Sequence, residues 1–245
     1  MNQNIKDDEG KSRDEIIRML EGLAPPDLAE PFDSGRIGLI VEGKPKITKI
    51  CTCLDVTPAV VQAAIKMKAD ILIAHHTPIW NPLTSIGGSD ARLLSKILSN
   101  ELNIYVMHTN WDHAIGGVND ILADILGLTD TVSMSLGLVG SVTKNLKEIA
   151  EILHAPLRVW GDISSLKRLA IAAGSGFDIE IIKEAEKLGA DAYLSAELRH
   201  SVYRSSPIPL LESTHYALES PSMRVLAQNN GWDYLDDPPM LHEIS

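Results

Sequence analysis

Three segments carry the residues best suited to chemistry. The first is His75-His76, which closes the apolar run Ile71-Leu72-Ile73-Ala74 and leads into Thr77-Pro78. A short β-branched run ending in polar residues reads as a buried strand. Open α/β sheets bind ligands at the carboxyl ends of their strands. A lone histidine is usually a hydrogen-bonded structural residue, but two side by side at such an edge point to metal. Because neighbouring side chains diverge, they point to two ions rather than one. The second segment is His108-Thr109-Asn110-Trp111-Asp112, which follows another apolar stretch. Asp112 offers a carboxylate that can bridge two cations; taken alone it would read as a helix or turn cap. His108 is either a ligand or a donor that orients one. The third segment is His215-Tyr216-Ala217-Leu218-Glu219. Histidine and glutamate four apart share a helix face and can hold one cation, although such a pair by itself is commonly just solvated.

The remaining histidines are less telling. His200, in Glu197-Leu198-Arg199-His200, is either a proton-transfer residue or a surface histidine. His154 reads as structural, His242 belongs to the tail, and His113 is a neighbour of Asp112 rather than a ligand.

Strands and helices must deliver these side chains. Ser12-Arg13-Asp14-Glu15 fits a capping box and opens a helix that Pro25-Pro26 stops. Strands are expected over 36–41, 47–54, 70–74 and 103–107. Helices are expected from Thr57-Pro58 to about 68, from Ser89-Asp90 to about 100, and after Gly116-Gly117 as far as Gly127. From residue 47 on, the alternation of strand and helix predicts parallel strands covered by helices. Near 128–130 the pattern shifts. Strands are then expected over 132–139, 156–160, 167–173 and 192–194, with a short apolar run at 208–211. Helices are expected over 143–154, 178–188 and 214–229, the last capped by Ser213 or Thr214. Gly116-Gly117 and Gly174-Ser175-Gly176 would let the backbone approach an anion closely. Neither completes a Walker loop or a dinucleotide fingerprint.

With 245 residues, 44% of them hydrophobic and 22% charged, the chain can build one large or two modest cores. Its formal net charge of −11 disfavours general nucleic-acid binding, which rests on phosphate neutralisation, and favours cations. Cys51 and Cys53, one residue apart, suit a strand better than a strained disulfide and read as small buried hydrophobes. Residues 1–11 read as a disordered polar leader without a targeting pattern. No apolar run approaches a membrane span, so a cytoplasmic location with no membrane partner is expected.

Taken in order, the segments resemble those of one family, the YbgI-like dinuclear-metal proteins, also called GTP cyclohydrolase 1 type 2 homologues. They are Leu54-Asp55-Val56-Thr57, Ala69 to His76, Arg92 with its helix, His108 to Asp112, Gly116 to Asp120, Gly174 to Gly176, Gly189 to Ala192 and His215 to Glu219. The resemblance spans nearly the whole chain. It implies an α/β fold with two α/β domains, a dinuclear site in the cleft between them, and a toroidal homohexamer. The first domain would comprise 12–129 with 213–245 and the second 130–212. It further implies His75, His76, Asp112, His215 and Glu219 as the ligands of two divalent ions. Mixed nitrogen and oxygen donors suit zinc, iron, manganese or nickel. Three places depart from the family's pattern. Asp33-Ser34-Gly35-Arg36-Ile37-Gly38 stands for an Asp-Asn-x-Gly stretch, Ala196-Glu197 for Gly-Asp, and Thr214 for a glycine.

Divalent metals lower the pKa of bound water toward neutrality. The expected function is therefore a metal-dependent hydrolase acting on a nucleotide-like or phosphorylated small molecule, GTP cyclohydrolysis being its specific version. A non-catalytic regulatory or partner-binding scaffold is the alternative. His108, His200 and Glu197 are the candidates for proton transfer.

Overall fold

The computed structural model describes residues 10–242. They form two compact units. One runs up to Trp111 and takes back Leu226–Pro238; the other comprises Asp112–Val225 and the residues from Pro239 on.

In the first unit, β1 (Lys11–Ser12) pairs antiparallel with β3 (Lys46–Ile47). Lys11, at the end of the expected leader, is thus a strand residue; positions 1–9 of that leader lie outside the described residues. The helix α1 (Arg13–Leu23) starts on the expected capping box: the Glu15 carboxylate accepts from the Ser12 amide at 2.8 Å, and the Glu15 amide donates to Ser12 Oγ at 3.3 Å. The main sheet runs β13-β4-β5-β6-β2, with β13 (Asp233–Tyr234), β4 (Ile50–Cys53), β5 (Ile71–Ala74), β6 (Asn103–Val106) and β2 (Gly38–Val41). The helices α2 (Pro58–Lys66) and α3 (Gly88–Ser99) connect β4 to β5 and β5 to β6. Thr57 caps α2, its hydroxyl accepting the Val60 amide at 3.1 Å.

The central strands are parallel, and all side chains of β4, β5 and β6 are buried. That is why their sequences are mostly apolar, with Thr52 and Asn103 as the polar exceptions, rather than alternating. Cys51 and Cys53 are fully buried free thiols in this core, and burial pushes the Cys51 thiol up to about 11. The strand expected over 36–41, whose direction the sequence pattern leaves open, pairs antiparallel with β6 at the sheet edge; the link from Val41 to Ile50 is shorter than a parallel crossover requires. One expectation needs correction. The strand over 47–54 is interrupted at Thr48 and Lys49, whose amides turn to the Asp70 carboxylate at 2.9 and 3.0 Å. Asp70 also accepts from Thr48 Oγ1 at 2.7 Å and Lys44 Nζ at 2.9 Å. Burial would raise the Asp70 carboxyl, but these bonds outweigh it and hold the group at about 2.

In the second unit, α5 (Val118–Leu126) ends on Gly127 at φ +69. Its six-stranded sheet runs β7-β8-β10-β11-β12-β9, with β7 (Thr129–Ser133), β8 (Leu138–Ser141), β10 (Arg168–Ile171), β11 (Ala192–Ser195), β12 (Leu210–Glu212) and β9 (Arg158–Trp160). The stretch expected as one strand over 132–139 is a hairpin. Met134 donates its amide to the Gly137 carbonyl, and Gly137 takes φ +75, where any side chain would strike the Ile171 carbonyl. Helices α6 (Leu146–Leu153) and α7 (Ile179–Lys187) are capped by Asn145 and Asp178. The short α8 (His200–Ser205) went unpredicted. The last helix, α9 (His215–Asn230), is capped by Thr214, whose hydroxyl accepts the Ala217 amide at 3.2 Å. Strands of this sheet occupy 129–212, while α5 and the start of α9 pack into the same unit. Among the described residues, no helix is long and apolar enough to cross a membrane.

Candidate metal centre

Strand register brings the first set of residues together. Cys53 pairs with Ala74, and Ala74 with Val106. The three parallel strands therefore end level, and Asp55, His75-His76 and His108 leave the sheet at one edge. The His75 amide still reaches the Leu54 carbonyl at 3.2 Å and the His76 amide does so at 3.0 Å, so both backbones stay tied to the sheet.

The two adjacent imidazoles are anchored by opposite neighbours of their strand. His75, with no exposed surface, sets Nδ1 against the Met107 carbonyl at 2.8 Å. His76 sets Nδ1 against Asp55 Oδ1 at 2.7 Å. His108 sets Nδ1 against both oxygens of Asp33 at 2.9 Å. Carbonyls and carboxylates only accept, so each Nδ1 carries the hydrogen and Nε2 is the nitrogen each ring can turn toward a cation. The ring centroids of His75, His76 and His108 lie 4.9 to 5.6 Å apart. Each of the three offers a ligand nitrogen within 4.8 Å of the others. These histidines could hold a metal ion.

Asp33 is the residue the sequence reading missed as part of this centre. Besides His108 it accepts the Thr109 amide at 3.1 Å and the Thr109 hydroxyl, and it is fully buried. Burial would raise its carboxyl; the bonds from His108 and Thr109 prevail and keep it below the ordinary carboxylate range. The only sequence signal was its place in the Asp33-Ser34-Gly35 stretch that departs from the family pattern. Asp55, quoted within Leu54-Asp55-Val56-Thr57, likewise proves to orient a histidine.

The second unit holds the other expected residues. His215 and Glu219, on the first turns of α9, meet at Nε2 to Oε2 in 2.8 Å, as the four-residue spacing predicts. His215 Nδ1 lies 2.7 Å from Glu197 Oε1, so Glu197 orients that ring. Glu197 adopts φ +63, a left-handed conformation that a residue with a side chain takes only under constraint. Gly174, at φ +67, supplies room: a Cβ there would run into Glu219 Oε1 and come within 3.3 Å of His215 Nε2. Its loop is fixed by Ser195, whose hydroxyl donates to the Gly174 carbonyl at 3.0 Å and accepts the Gly176 amide at 2.9 Å. The glycine thus makes space for the chain's own Glu219 side chain. The Gly116 amide, likewise, is taken by Asp120 Oδ2 at 2.7 Å. Asp112 lies in α4 (Thr109–His113). Its carbonyl accepts from Asn119 Nδ2 at 3.0 Å, and Asn119 Oδ1 in turn accepts the Ala173 amide at 2.9 Å. His200 is exposed on α8, 6.5 Å ring to ring from Tyr203. Among the described residues, His113, His154, His200 and His242 join no group able to hold a metal.

Parallel strands that end level in a cluster of oriented histidines define an α/β protein with a candidate metal centre at the sheet's carboxyl edge. The chain belongs to the DUF34/NIF3 (NGG1p interacting factor 3) family, whose model matches residues 11–230. It is 34% identical over 231 residues to a protein of Clostridium perfringens named GTP cyclohydrolase 1 type 2 homolog, covering 84% of this chain and 86% of that one. Among solved structures, reduced HcgD from Methanocaldococcus jannaschii matches with a TM-score of 0.78 at 26% identity, over 91% of this chain and 96% of that one. YbgI shares the fold, with a TM-score of 0.82 at 24% identity over 94% of this chain and 99% of that one.

Proposed function

We propose that the chain binds two divalent cations and hydrolyses a nucleotide-like or otherwise phosphorylated small molecule. GTP cyclohydrolysis is the specific version that its relatives' name suggests. In this reading His75, His76, Asp112, His215 and Glu219 would hold the ions, Asp112 offering a carboxylate that both could share. The observation that carries it is common to four rings: His75, His76, His108 and His215 all have Nδ1 against an acceptor at 2.7 to 2.9 Å. Metal-binding histidines are held in this way, with the second nitrogen committed to a carboxylate or carbonyl. Mixed imidazole and carboxylate donors fit zinc, iron, manganese or nickel better than magnesium.

Bound cations would supply Lewis acidity and an activated water near neutral pH. The chain's own part is positional. Met107, Asp55, Asp33 and Glu197 fix the tautomer and direction of each ring. His108, with Asp33 behind Nδ1, can take up a proton at Nε2, which makes it the better placed of the three proton-transfer candidates.

The test is turnover by purified protein loaded with zinc, manganese, iron or nickel, across a panel of nucleotides and phosphoesters. Metal-dependent product release that His75→Ala abolishes is expected. Full metal occupancy with no turnover across the panel would overturn the hydrolase and leave a regulatory metal-binding scaffold. The same reading carries a ring-shaped homohexamer in the cytoplasm, with 130–212 as its second α/β domain. A monomeric mass in sedimentation would contradict the ring.

A further inference from the structure

The chain has only two phenylalanines and four tryptophans. It nevertheless leaves Phe32 52% exposed and Trp80 46% exposed. Burying a ring of this size would stabilise the fold, so two rings in the open ask for an explanation. They share a place. Trp80 meets the ring of His108 edge-on at 5.6 Å, Phe32 meets it at 6.4 Å, and Phe32 and Trp80 are 6.4 Å apart. Both therefore border the histidine that Asp33 orients. Both are also held. Arg36 lies over the Trp80 ring at 4.6 Å, donates from Nε to the Trp80 carbonyl at 2.7 Å, and donates from Nη1 to the Phe32 carbonyl. One side chain thus ties the turn carrying Phe32 to the loop carrying Trp80.

We propose that Phe32 and Trp80 form a stacking platform for the base of a nucleotide, so that the flat ring, rather than the phosphate, selects the substrate. The guanidinium of this cluster is committed to two carbonyls and an indole, which leaves aromatic surface as what it offers a ligand. Stacking on an aromatic side chain tolerates any base, because each presents a π-face. The inference deepens the nucleotide reading of the same centre and rests on it for the chemistry, but stacking itself needs no metal.

The experiment is titration calorimetry of the full chain, zinc-loaded and metal-free, with guanosine monophosphate and with ribose 5-phosphate as its ring-free counterpart. The nucleotide is expected to bind about tenfold or more tighter than the sugar phosphate. Trp80→Ala should erase that preference and Trp80→Phe should keep most of it. Neither should change the affinity for ribose 5-phosphate or the zinc content. Equal binding of the two probes, no binding of guanosine monophosphate, or equal loss of both in Trp80→Ala would overturn the platform. So would a Trp80→Ala protein that changes its oligomeric mass while keeping its nucleotide preference, which would show the rings covering a second copy. Zinc that fails to bind while the ring preference survives would sink the metal reading and leave the platform standing.

Discussion

His108 and His215 each present a ring whose Nδ1 is held by a carboxylate, yet the two carboxylates live in opposite surroundings. Asp33 is fully buried and also accepts the amide and hydroxyl of Thr109. The side chain of Glu197 is 60% exposed, and its backbone is held at φ +63. The first unit therefore orients His108 through a buried carboxylate, where folding and orientation are one event. The second unit orients His215 with a solvated arm and leaves room for Glu219 with a glycine. The difference separates what should depend on stability from what should depend on position alone.

That separation can be broken at several points. The largest effect is expected at Asp33. Asp33→Ala removes the acceptor of three donors and should cost about 3 kcal/mol, read by chemical denaturation. It should also weaken zinc binding by roughly 10- to 100-fold. A cost no greater than that of Glu197→Ala would remove the contrast. Next comes acid. Asp70, held at about 2 against 3.8 when unfolded, stabilises the first unit above pH 3.8 and loses that contribution as pH falls through about 2. The full contribution is about 2 kcal/mol, and Asp70→Asn should flatten the acid limb of the stability profile in that window. Gly174→Ala follows: its left-handed backbone and the clash with Glu219 should cost roughly 1 to 2 kcal/mol and lower zinc affinity as well. The smallest effect has the opposite sign. Glu197→Gly should raise stability by about 1 kcal/mol by releasing the left-handed strain, while zinc binding weakens because His215 loses its partner. A variant that is destabilised, or that binds zinc as before, would show that Glu197 is not a positioning residue.

Much of the first unit was legible because its signals are local. A β-branched run reads as a buried strand, the Ser12–Glu15 box and Thr57-Pro58 mark helix starts, and polar residues after a strand mark the sheet edge. His215 and Glu219 were legible for the same reason, since a four-residue spacing fixes their meeting on α9. What was missed depends on distant partners or on backbone sign. Asp33 reaches His108 across most of the first unit, and no local pattern announces such a pair. The hairpin at β7 and β8 was read as one strand because Gly137, whose positive φ makes the turn, stands within a stretch whose apolar and polar residues alternate as along a single strand. The antiparallel setting of β2 follows from the shortness of its connection, which periodicity alone does not show.

The most direct test of the central claim is a crystal structure of the full chain with anomalous scattering recorded at the metal edge. The account predicts two anomalous peaks, with His75, His76, Asp112, His215 and Glu219 as their protein ligands. One peak, no peak, or peaks bound by other residues would contradict it.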